Sequence, residues 1–126
     1  MAFQGLSNRQ RHRKDKSLKR DLKKRCTVYC LVDVLDGSQV YVGQTRTSLE
    51  TRLWNHLKAA IKAQNRRQRL TPLQRYLLDC STTGDLPLMT VLQENAQWDI
   101  AEAVWIDRLT SRGAKLFNIA SRVPAG

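Results

Sequence analysis

Five side chains in this sequence are of types that move protons, neutralise anions or hold cations. Tyr29 and Tyr41 stand on two apolar runs, Arg52 and His56 stand one helical turn apart, and Glu102 follows later. A phenol or an imidazole can give or take a proton. A guanidinium offers a planar fork to anionic oxygens, and a carboxylate can act as an acid or base or bind a hard cation. Each residue taken alone has a plainer reading. Arg52 reads as a surface arginine, His56 as a satisfied boundary histidine, and Glu102 as a helix-edge acid with its head in water. Whether they act together depends on the elements that carry them.

From Cys26 the chain reads TVYCLVDVL, β-branched and aromatic with almost no interruption. Such a run predicts a strand buried on much of both faces. Asp36-Gly37 is a turn signal and residues 39–43 supply a second strand, so an antiparallel hairpin is expected. Alternation puts Thr27, Tyr29 and Leu31 on one face and Cys26, Val28 and Cys30 on the other. With no second pair of Cys or His at zinc-like spacing, the cysteines read as buried thiols. Thr47 and Glu50 fit a capping box, opening a helix with Leu49, Leu53, Leu57, Ala60 and Ile61 as its core stripe. At about 100° per residue, Arg52 and His56 fall together on the border of that stripe.

Thr71-Pro72-Leu73-Gln74 opens a second helix with Thr71 as N-cap, and the helix stops by Gly84. Leu73, Tyr76, Leu77 and Cys80 share one of its faces. Residues 87–94 read as a third strand with Pro87 at its start. The last helix is expected over 96–112, with Trp98, Ala101, Trp105 and Leu109 inward, Glu102 at the shoulder and Gly113 at the end. The expected fold is α+β: a three-stranded antiparallel sheet flanked by three helices, in the order β-β-α-α-β-α. The site would lie on one sheet face, walled by the first and third helices.

The chain has 126 residues and a formal net charge of +11, enough for one domain and pointing to a polyanionic partner. Residues 1–25 form a basic N-terminal arm, 26–120 the folded unit and 121–126 a tail. From Arg9 to Arg25, ten of seventeen positions are Lys or Arg. Arg9, Arg11, Arg13, Lys14, Lys16, Lys19, Arg20, Lys23, Lys24 and Arg25 are candidate phosphate contacts, with Arg66, Arg67 and Arg69 in the later connector. A localisation signal is the competing reading of the arm. With two leucines and no aromatics, the arm is poorly suited to insert into a membrane surface. No run approaches the roughly 20 apolar residues needed to span a bilayer. Three cysteines suggest no disulfide framework, so a reducing, cytoplasmic setting is expected.

The ordered set resembles the GIY-YIG nucleases, a family named for two tripeptides on neighbouring strands. Thr27-Val28-Tyr29 stands for the first and Tyr41-Val42-Gly43 for the second. Arg52, His56, Glu102 in AEAVWIDRL and Asn118 in KLFNI follow in the family's order. The likeness spans residues 26–120, with Thr27 in place of the family's first glycine. It implies a metal-dependent endonuclease that hydrolyses phosphodiester bonds in DNA and nicks one strand per site. Tyr29 would be the general base and Tyr41 would order the water or a phosphate oxygen. Arg52 would neutralise nonbridging oxygens, and His56 would position Tyr29 or shuttle its proton. Glu102 would hold one Mg²⁺ or Mn²⁺ per site, and Asn118 would serve in positioning. Only the arm lies outside the catalytic unit, so intrinsic sequence specificity is expected to be weak, with either a structured or damaged DNA target or targeting by a protein partner, and a double-strand break would require a homodimer or sequential nicks. RNA cleavage, or non-catalytic nucleic-acid binding on the same scaffold, is the alternative.

Overall fold

The computed structural model describes residues 24–118. Its elements run β1 (Arg25–Val32), β2 (Gln39–Thr45), α1 (Leu49–Asn65), α2 (Pro72–Thr83), β3 (Leu88–Gln97) and α3 (Ala101–Ser111). The uninterrupted apolar run becomes the middle of the sheet. β1 pairs antiparallel with β2 on one side and β3 on the other. A strand in that position has no solvent face, which is why both of its side-chain sets are apolar. Cys26, Val28 and Cys30 enter one core with Val42, Ala96 and the α3 residues Ala101, Ile106 and Leu109. Tyr29 and Leu31 enter a second core with Val40, Leu57 of α1, and Leu73 and Leu77 of α2. The result is α3 on one face and α1 with α2 on the other. The first and third helices therefore do not wall the same face, contrary to expectation.

The hairpin closes as its turn residues dictate. Gly37 takes a φ of 73° and its N–H donates to Asp33 O, while Asp33 N–H donates to Ser38 O. β2 runs two residues past Gly43. Its register skips one position, with Leu31 opposite Tyr41 and Val32 opposite Gln39. Val40 is the extra residue of this bulge and packs into the second core.

α2 matches the sequence reading: the Thr71–Gln74 capping box is formed, Pro72 opens the helix, and Gly84 closes it in the left-handed region. α1 differs by one residue at its start. Ser48, not Thr47, is the N-cap and accepts from Thr51 N–H. Thr47 is held outside the helix because its N–H donates to Thr45 Oγ1 and its hydroxyl bonds the same atom. Glu50 consequently falls in the first turn without a reciprocal cap. The buried stripe is Leu57, Ala60 and Ala63, flanked by half-buried Leu49 and Leu53, and Ile61 is exposed.

The largest departure lies between β3 and α3. The strand continues to Gln97, and the helix begins only at Ala101. Two β3 residues stand against one of β1 between the Val28–Gln93 and Cys26–Ala96 pairs, with Asn95 at a φ of 53°. That bulge carries Ala96 back into the core, where it is fully buried, and Trp98 N–H then donates to Lys24 O. Trp98 thus packs on the first core from outside the helix. Among the described residues no helix is long and apolar enough to cross a membrane.

Candidate active site

Tyr29 is a central-strand residue with none of its surface exposed. Its ring lies across Gly43 on the neighbouring strand, where a Cβ would meet the phenol Oη and Cζ. Glycine at this point of a strand is therefore a requirement of close approach, and the Tyr41-Val42-Gly43 tripeptide acquires a physical reason. The hydroxyl ends 2.9 Å from His56 Nε2. In the tautomer protonated on Nδ1, the phenol donates and the imidazole accepts. Tyr41, one strand position before Val42, meets the His56 ring edge-on with centroids 5.6 Å apart.

The electrostatics of this pair are those of two neutral groups. Burial pushes the Tyr29 phenol up to about 12; neighbouring Tyr41 adds to this, and the Arg52 guanidinium opposes it. Burial likewise lowers His56 to about 4, with the Arg52 charge adding to the effect. A buried site disfavours charge in any group it holds. Arg52 is half-buried beside them, and its Nε is buried with no hydrogen-bond partner among the described residues. A buried donor without an acceptor is costly, and a guanidinium makes strong charge-assisted hydrogen bonds to an anionic oxygen that reaches it.

Glu102 sits in the first turn of α3, half-buried. Burial is the main cause that raises the Tyr29 phenol and the Cys26 thiol, and the Glu102 charge adds to both although α3 covers the other face. No group of three His, Cys, Asp or Glu able to enclose a metal occurs among the described residues. A single carboxylate suits a hard cation that keeps most of its waters and shares a substrate phosphate. Mg²⁺ or Mn²⁺ held by Glu102 fits that donor set.

Asn118 is buried and lines the same cavity as Tyr41 and His56. Its Oδ1 accepts from Val42 N–H at 2.9 Å and its Nδ2 donates to Val42 O at 2.8 Å. It mimics one residue of a fourth strand on the edge of β2, which positions Tyr41 and Gly43 on either side. Cys26, Cys30 and Cys80 are free, buried thiols, with Cys30 pushed up to about 11 by burial; none has thiolate character. Arg25, Arg66, Arg67 and Arg69 are exposed and Lys24 half-buried. The arm residues from Arg9 to Lys23 and the tail 121–126 lie outside the described residues.

Two features were not read from the sequence. The clearance role of Gly43 was signalled by a glycine inside a strand, whereas the Asn118–Val42 clamp left no local trace. No protein family matches the chain, and no curated protein or solved structure matches it significantly.

Proposed function

We propose that the chain is a nucleic-acid phosphodiesterase, as its resemblance to the GIY-YIG nucleases implies, cutting one strand of DNA per site with weak sequence preference. The observation that carries this reading is the buried, unpartnered Nε of Arg52 beside the Tyr29–His56 hydrogen bond. An anion receptor adjoining a proton-relay pair is what attack of water on a phosphodiester requires. The net charge of +11 supports a polyanionic substrate.

Arg52 holds the nonbridging oxygens with its fork and satisfies its own orphaned donor. Tyr29 Oη takes a proton from the attacking water while passing its own to His56 Nε2, so the phenol never becomes a phenolate. An isolated phenol near its pKa of about 12 is a poor base at neutral pH, and the relay removes that obstacle. His56 resists protonation in the free site partly because of the Arg52 charge. Burial is the larger cause of that resistance, and a bound phosphate offsets the smaller one by neutralising the Arg52 charge. Tyr41, against the His56 ring, orders the water or an oxygen of the phosphate. A divalent cation at Glu102 would supply Lewis-acid stabilisation of the leaving oxygen.

The test is nicking of supercoiled plasmid by the wild type, Arg52→Ala and Glu102→Ala, in Mg²⁺, Mn²⁺ and EDTA. We expect divalent-dependent nicking by the wild type and a loss of about 10²–10³-fold in Arg52→Ala, with retained folding by circular dichroism. Glu102→Ala should be inactive in either metal. An Arg52→Ala protein that nicks at the wild-type rate would sink the assignment. Binding by all three proteins with no cleavage of DNA or RNA would leave a non-catalytic nucleic-acid-binding module.

A further inference from the structure

Beside the Tyr41–His56 pair a cavity of about 330 Å³ opens between α1 and α2. Its volume lies at the lower end of ligand pockets, roughly 300–1,000 Å³, which suits one small flat group and not a duplex. Ala59, Leu73 and Leu77 give it hydrocarbon walls, and Tyr41 and His56 form the end shared with the candidate active site. Besides Tyr41, His56 and Asn118, its polar groups come from the start of α2. Gln74 Oε1 is taken by Thr71 N–H, and Thr71 Oγ1 accepts from Gln74 N–H. The Gln74 amide N–H₂ and the Thr71 hydroxyl proton therefore remain as donors lining an apolar slot.

We propose that this slot receives one unpaired nucleobase of the strand being cut, which makes the substrate a nucleic acid carrying an extrahelical or single-stranded base. The proposal rests on the nuclease reading for the place of the phosphate at Arg52. The slot shares His56 and Tyr41 with the place of that phosphate, so a base on the same strand reaches it when the phosphate is bound. A base offers a flat apolar body to the leucine and alanine walls and carbonyl oxygens to the two donors. Taking a base out of a stacked duplex costs a few kcal/mol and costs least where it is already unpaired. A site built this way selects by structure rather than by sequence.

The experiment measures binding by fluorescence anisotropy in EDTA, where no cut occurs, and nicking separately in Mg²⁺. The probes are one duplex fully paired, one with a single bulged thymidine, and one with an abasic residue in the bulge. The wild type should bind the bulged thymidine about tenfold more tightly than the abasic bulge, the scale of one buried base contact. Ala59→Phe fills the slot from an exposed helix position. It should lose that preference while keeping its affinity for the paired duplex. Gln74→Glu keeps the helix cap, since Glu serves at this position as well as Gln, but replaces a donor by a charge, and should also lose the preference. Equal binding of the thymidine and abasic bulges by the wild type, or an unchanged preference in both variants, overturns the proposal. Preference without nicking would keep the base slot and retire the nuclease. Nicking without preference would do the reverse.

Discussion

His56 is an imidazole that the fold keeps neutral. Burial and the Arg52 charge lower it from its ordinary value of 6.5 to about 4. Between those two values the unfolded chain binds a proton at this residue that the folded chain does not. By linkage, stability contributed by the neutral imidazole is complete above about pH 6.5 and is lost as pH falls toward 4. His56→Gln retains a polar partner for Tyr29 Oη without titrating. The wild type should therefore lose more stability than His56→Gln between pH 7 and pH 5, read as the difference in urea midpoint at each pH. Parallel loss in the two proteins would mean that His56 titrates normally and that its burial has been overstated. The Tyr29 phenol gives no such signal in this window, because its shift lies upward, to about 12.

Elements explain why these residues meet and why only part of that was legible beforehand. β1 was legible because a strand covered on both faces must be apolar throughout, and α2 because Thr71, Pro72 and Gln74 specify its start locally. The α1 start slipped by one residue because the choice between Thr47 and Ser48 is made by Thr45, a contact the capping pattern does not contain. Trp98 carries helical spacing with Ala101 and Trp105, which drew the expected helix start back to Ala96, yet Ala96 pairs with Cys26 of β1 as part of β3. Asn118 is the extreme case, since its partner Val42 lies 76 residues away. Removing it should show how far β2 depends on the clamp. Asn118→Ala leaves the Val42 N–H and C=O without their bonds in a buried place, costing about 2 kcal/mol. For a body of this size, that lowers Tm by roughly 8 °C or more. An unchanged Tm by thermal denaturation would show that water or another group replaces the amide.

At the scale of the whole molecule, a neutral buried site is joined to a strongly basic chain, and the two make different demands on salt. Desolvated contacts at Tyr29, His56 and Arg52 are little screened, whereas exposed charges lose effect as ionic strength rises. Residues 1–23 hold eight Lys or Arg against two Asp, more than a third of the 22 basic residues in the chain. If they contact phosphates, each contact contributes about −0.9 to the slope of log K against log salt on duplex DNA. A chain beginning at Lys24 should then show a slope shallower by roughly 3 units or more, with its loss of affinity largest at low salt and shrinking as salt rises. Its nicking rate at saturating DNA should match the full chain, because the arm supplies none of the five candidate catalytic residues. The measurement is a salt titration of both proteins on one fully paired duplex. Equal slopes would assign DNA binding to Arg66, Arg67, Arg69 and the site itself. The arm would then be left to a role, such as localisation, that does not involve holding the substrate.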